Sequence, residues 1–196
     1  MDMIRGQKVK LAEIVANGAD FQLELSINTA LSVDISCFGV DAAGKLSDER
    51  YMTFFNQPES PCGGVRLVQN QPQQSVFQIR LGKLPASIDK LVFTAAIDGN
   101  GVMSALQNSA LRIVDGQQTR CSFAFGGSDF QAERAIHVAV HPQHRPVVGG
   151  EVERPLPCPP PPCGFSILSP RTYSRLPGWT TSRMPPSPWL NTGSDK

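Results

Sequence analysis

The chain has 196 residues, 40% of them hydrophobic, and a formal net charge of +1. That length and composition suit one domain of ordinary size with a packed core. The near-zero charge gives no reason to expect nucleic acid or an anionic membrane as a partner, because such binding needs concentrated basic charge to displace counterions. No apolar run approaches the roughly 20 residues that span a bilayer. Arg5, Lys8 and Lys10 are not followed by the apolar stretch of a secretory signal. The expected compartment is the cytoplasm, where Cys37, Cys62, Cys121, Cys158 and Cys163, an odd set without a disulfide pattern, should stay thiols.

Period-two alternation puts successive side chains on opposite faces of a strand. It runs through Phe21, Leu23, Leu25 and Ile27, then Val33, Ile35 and Cys37, then Phe77, Ile79 and Leu81. Leu91, Phe93, Ala95 and Ile97 make the strongest run and predict a central strand; Leu111 and Ile113, then Cys121, Phe123 and Phe125, continue the pattern. Turn signals separate the runs at Asp41–Gly44, Ser60–Gly64, Asp98–Gly101 and Asp115–Gly116. Two short helices are expected, one over Val102–Gln107 and one after Ser128 as N-cap that includes Gln131–Arg134. Many short strands at this spacing predict an all-β fold, a sandwich or barrel of antiparallel sheets.

Composition changes near residue 141. Four of the 17 prolines precede it, and the other 13 lie between Pro142 and Pro188. Proline lacks the N–H that a central strand needs, so Pro155–Cys163 should be extended polyproline II. The domain is therefore assigned to residues 1–140. Residues 141–196 are expected to be a disordered proline- and arginine-rich tail without function, open to proteolysis at Arg145, Arg154, Arg171 or Arg175.

Several phrases of the first segment resemble one family in order and spacing. They are Val33–Phe38 followed by Asp41-Ala42-Ala43-Gly44-Lys45, Phe54-Phe55-Asn56-Gln57, Ser60-Pro61-Cys62-Gly63, and Leu81–Phe93 with its Leu84-Pro85 and Lys90-Leu91-Val92-Phe93. They resemble the TerD-type (CAPAB-TerDEXZ) tellurium-resistance stress-protein family. Ile4–Gln7 and Gly126–Phe130 resemble its TerA branch in particular. The resemblance covers roughly residues 1–138. It implies a sandwich of two antiparallel sheets and a bacterial role in tellurite resistance, phage inhibition and colicin resistance. The family's closing Gly-Glu-Leu-Tyr and Gly-Gln-Gly strands have no counterpart after Ala135-Ile136. The last segment is therefore either a divergent tail or a shifted reading frame, and the sandwich is expected to lack its closing strands.

The resemblance also implies calcium, held by clustered carboxylates. Calcium takes 6–8 oxygen ligands, several of them charged. The family's Asp-x-Asp-x-Asp strand aligns with Ala30, Ser32 and Asp34, so Asp34 alone keeps a carboxylate. The family's acidic loop aligns with Val68–Gln74, which has none. Asp34 is thus a weak calcium candidate, and no cofactor or metal is expected. His137 and His141 would lie about 13 Å apart on a strand, too far to share a zinc ion; with His144 they read as solvated side chains. Cys158 and Cys163, about 15 Å apart in polyproline II, cannot pair. Cys37 and Cys121 read as core residues, and Cys62 as an exposed turn thiol that tellurite could reach. There is no phosphate loop and no nucleophile elbow. The expectation is a non-enzymatic accessory protein that binds other tellurite-resistance proteins, with no nucleic acid and no membrane insertion; the alternative is a calcium-binding stress protein. A thiol-based tellurite reductase is a third, remote reading.

Overall fold

The computed structural model describes residues 1–16, 19–130 and 133–142, together with the backbone of Phe165–Leu168. The strands in chain order are β1 (Lys8–Val9), β2 (Asp20–Ser26), β3 (Val33–Val40), β4 (Met52–Thr53), β5 (Val65–Gln71), β6 (Gln74–Arg80), β7 (Lys90–Ile97), β8 (Ser109–Asp115), β9 (Gln118–Phe125), β10 (Ala135–Val140) and β11 (Phe165–Leu168). They form two sheets, one of five strands in the order β5-β6-β2-β8-β9 and one of six in the order β1-β11-β10-β7-β3-β4. All neighbouring strands within the sheets are antiparallel.

Alternation accounts for the inner faces. In β2, Phe21, Leu23 and Leu25 are buried while Gln22, Glu24 and Ser26 are only partly so. The register sets Leu23 beside Phe77 of β6 on one side and Ile113 of β8 on the other. Across the sandwich, Phe77 meets Phe93 of β7 edge to face, with ring centroids 5.2 Å apart. The expected central strand is indeed interior, since β7 pairs with β3 and β10. A four-residue helix, α1 (Leu11–Ile14), enters the same core with Leu11, Ile14 and the following Val15. Its length is too short for periodicity to announce it.

Strand β3 departs from alternation, with Ser36 through Val40 all buried. The cause is a second, smaller cluster on the outer face: Phe38 and Val40 pack with Val92, Leu46 and Met52. Residues 41–52 make that cover possible. Their turn is pinned by Asp41, whose carboxylate accepts the N–H groups of Ala43 and Lys45, each at 2.9 Å, and the Ser47 hydroxyl. The β8–β9 turn passes through Gly116 at φ +63°, a left-handed conformation that glycine adopts without strain.

The expected helices shrink to single turns. Val102–Gln107 contains a 3-10 turn over Met103–Ala105, and the turn near Ser128 covers Gly127–Asp129. Glu133 and Arg134 are not helical, and Gln131 and Ala132 lie outside the described residues. Gly127 packs so tightly there that a Cβ would stand 2.1 Å from the Ser104 carbonyl oxygen. Val68–Gln71, expected in a loop, belong to β5. The strand carries a bulge between Leu67 and Gln69 that breaks its alternation.

The six-stranded sheet also runs past the expected boundary. β10 ends at Val140, at that boundary, and β11, within the segment expected to be a tail, pairs with β10 and β1. Four residues suffice because β10 and β1 each offer an open row of backbone groups. The other expectations about residues 143–196, including the proteolytic sites, fall outside the described residues.

The two faces of the core make opposite predictions. Truncating Phe77 to Ala should lower stability by about 3–5 kcal/mol. Thr53 is paired with Cys37 on the core side, and its buried hydroxyl has no hydrogen-bond partner among the described residues. Thr53→Val should therefore raise stability by about 1 kcal/mol. Urea unfolding midpoints of the two variants check both.

Candidate functional site

The outer face of the six-stranded sheet carries most of the polar residues singled out in the sequence. Register aligns Asp34 with Ala96 and Ala135 in one row, and Ser36 with Thr94 and His137 in the next. Ser36 and His137 flank Thr94 from opposite sides, so two strand spacings, about 10 Å, separate their backbones. The buried Ser36 hydroxyl makes no hydrogen bond among the described residues. The row therefore does not assemble a Ser–His pair. His141 follows four residues along β10's line, and burial lowers the pKa of both imidazoles; for His141 the nearby Lys90 and Lys8 lower it further while Asp89 opposes. Both histidines are partly buried rather than freely solvated, which corrects the expectation for these two. His144 lies outside the described residues.

Asp34 supplies the one carboxylate in its row of the outer face. Its direct strand neighbour is an alanine, and among the described residues no three His, Cys, Asp or Glu side chains converge as a metal cage would require. The hairpin of β5 and β6 offers amides instead. The Gln69 amide donates to Gln74 at 3.2 Å, and the Ser75 hydroxyl donates to Asn70 at 2.9 Å. These groups satisfy one another across the hairpin.

The cysteines separate by environment. Cys37 and Cys121 are buried, as expected, and burial raises the pKa of each thiol, which keeps both protonated and poorly nucleophilic. Cys62 is half-buried in the 60–64 turn, with its sulfur 3.6 Å from the Ser60 hydroxyl. That hydroxyl in turn accepts the Val65 N–H at 3.0 Å. Cys158 and Cys163 lie outside the described residues.

Sequence reasoning did not anticipate a cavity of about 250 Å³ between the sheets, on the β9 and β10 side. Phe123 and Phe125 of β9 stack at 5.5 Å, and Phe130 meets Phe125 edge-on at 6.2 Å. Ile136 and Val138 face them from β10, with Leu111 and Met3 completing the apolar wall. The Arg5 guanidinium sits at the rim, 5.7 Å from the Phe130 ring centre. It donates to the Asp129 carbonyl at 2.7 Å and approaches Glu133 at 3.9 Å. The N-terminal residues are held beside β9, where Met3 N–H donates to the Ser122 carbonyl at 2.7 Å and Ser122 N–H donates to that of Met1 at 2.9 Å. The Phe123-x-Phe125 spacing was visible in the sequence; the space in front of it was not.

A family model described as the TerD domain matches residues 1–144. The chain belongs to the TerD domain family. The match ends beyond residue 138, where the resemblance was placed, and takes in all of β10. Among solved structures, this TerD-domain chain is similar to a homologue of the telluride resistance protein TerD from Streptomyces coelicolor A3(2). That similarity is 14% in identity over 62% of this chain and 80% of that one, with a TM-score of 0.47. A protein of unknown function, SAV2460, is 16% identical over 63% of this chain and 81% of its own, at a TM-score of 0.48. No curated protein matches. Among the described residues, no helix of the TerD-domain chain is long and apolar enough to cross a membrane.

Two measurements test the outer face. Calorimetric titration should find no calcium binding tighter than about the millimolar range of weak sites. The histidines should impose a one-sided pH dependence. Their pKa values are lowered below the ordinary 6.5, so below that pH the unfolded chain takes up protons that the folded chain does not. Stability should be level with respect to these groups well above pH 6.5 and fall as the pH drops below it. Denaturant titrations across that range should show a shallower fall in His137→Gln.

Proposed function

We propose that this TerD-domain protein is a cytoplasmic, non-enzymatic accessory component of a bacterial tellurite-resistance system, acting by binding other proteins of that system. Membership of the family supports the setting. The observation that carries the mode of action is the outer edge of β5. Residues 58–60 cover its first part, with Ser60 N–H donating to the Val65 carbonyl at 2.9 Å and Leu67 N–H to that of Pro58 at 2.7 Å. Beyond Leu67, among the described residues, no strand pairs with β5 on that side.

Edge strands usually carry charge that discourages pairing with other chains. Its uncovered part does not: Arg66, in the covered part, pairs with Glu59 at 3.7 Å, while Val68 through Gln71 carry no charge, and Val68 stands 48% exposed at the bulge. A neutral, amide-bearing edge with one exposed apolar side chain suits addition of a strand from a protein partner. Neither nucleic acid, membrane insertion, calcium nor a catalytic step enters this reading. Phage inhibition and colicin resistance belong to it as further consequences of the same binding.

The test is a double substitution, Val68→Lys with Asn70→Lys. Both side chains are exposed, but Asn70→Lys also removes the acceptor of the buried Ser75 hydroxyl and should cost about 1–3 kcal/mol, so Val68→Lys alone, which should change stability by no more than about 0.5 kcal/mol, is the control that must show the same loss of binding. Co-purification with co-expressed tellurite-resistance proteins should drop at least about tenfold, since like charges placed on an edge oppose pairing, and tellurite tolerance should fall with it. Unchanged co-purification and tolerance would remove the β5 edge from the mechanism.

A further inference from the structure

The cavity between β9 and β10 belongs to neither the calcium question nor the β5 edge. An unfilled space in a core costs stability in proportion to its volume. This one is about 250 Å³ and has apolar walls, whereas an apolar cavity of about 150 Å³ already accommodates benzene. It is smaller than the pockets of about 300–1,000 Å³ that take drug-sized ligands. Size therefore restricts the occupant to a compact molecule somewhat larger than a single ring.

The walls restrict its chemistry further. The stacked pair Phe123 and Phe125 and the edge-on Phe130 present both ring faces and ring edges, the two surfaces that aromatic rings pack against. The lining carries one fixed cation, Arg5, whose charge is engaged by the Phe130 ring, the Asp129 carbonyl and Glu133, and one imidazole, His137, whose pKa burial lowers. An anionic ligand would have to displace those contacts and approach two carboxylate-bearing residues. A cationic ligand would meet Arg5.

We propose that this cavity is a binding site for a small uncharged aromatic molecule of about ten heavy atoms, the size class of a fused bicycle. The N-terminal residues Met3–Arg5 form its outer wall and fix its width through the backbone hydrogen bonds to Ser122.

Indole is the probe. Titrated into the full chain and followed by amide chemical shifts, it should bind saturably with a dissociation constant of roughly 0.01–1 mM, as expected for so few atoms. The shifts should concentrate at residues 123–125, 130 and 136–138. Ile136 is half-buried at the wall, so Ile136→Phe should fill the space, leave the fold intact by circular dichroism, and weaken binding at least tenfold. Indole-3-acetate and tryptamine, which carry opposite charges, should each bind at least tenfold more weakly than indole. Absence of saturable binding, shifts centred elsewhere, or equal affinity for the charged analogues would overturn the proposal. Should Ile136→Phe fail to fold, the wild-type shift map and the charged analogues decide the matter.

Discussion

The contact of Phe77 with Phe93 joins the two sheets, and the rest of the molecule is arranged around it. Each ring comes from the interior of its own sheet, on β6 and β7. With the rings edge to face at 5.2 Å, the sheets are held at a separation that Leu23, Ile79, Leu91, Leu111 and Ile113 fill without residual exposure. Side chains of this bulk fill the roughly 10 Å between stacked sheets. Away from the contact, toward β9 and β10, the filling becomes incomplete, and the cavity lies in that direction.

The same geometry separates the polar features from the core. Ser36, Thr94 and His137 sit on the face of β3, β7 and β10 that points away from the other sheet, because Cys37, Phe93 and Val138 take the inward positions. A strand cannot offer one residue to both faces. The carboxylate of Asp34 is thus confined to the outer face, while the amide-rich hairpin of β5 and β6 belongs to the opposite sheet. Residues that the family resemblance groups as calcium ligands come from different layers here, and only one of them is charged.

How much of this was legible in the sequence follows from what local pattern can encode. β2, β7 and β8 have one clean buried face, so Leu23, Phe93 and Ile113 announced their strands. β3 was legible only in its first half, since the cover by Leu46 and Met52 that buries Phe38 depends on a loop distant in pattern. β5 was missed at Val68 because its bulge adds a residue and shifts the period. β11 was missed because its stability comes from pairing with β10 and β1, and four residues flanked by prolines hold no period of their own. Asp34, Cys37 and Cys121 fell where their strand patterns put them, and the absence of charge in 68–74 was plain. The cavity was beyond reach, since empty volume is set by how strands from two sheets face each other.

The pairing of β2 has a consequence for how the chain is made. β2 lies in the middle of its sheet, yet its neighbours β6 and β8 follow it at long range, with Gln22 opposite Gln78 and Val114. At about 5–20 residues per second, the second of these neighbours leaves the ribosome roughly 5–20 s after β2 does. Until β6 follows, about 3–11 s after β2 at that rate, Phe21, Leu23 and Leu25 have no sheet to enter, and the sheet stays open on the β8 side until the second neighbour arrives. Pairings this distant also slow folding once the chain is complete, because loop closure must precede any gain from contact. The period in which the nascent chain is most prone to aggregate, and most open to a holding chaperone, is therefore written into the order of strands in the five-stranded sheet.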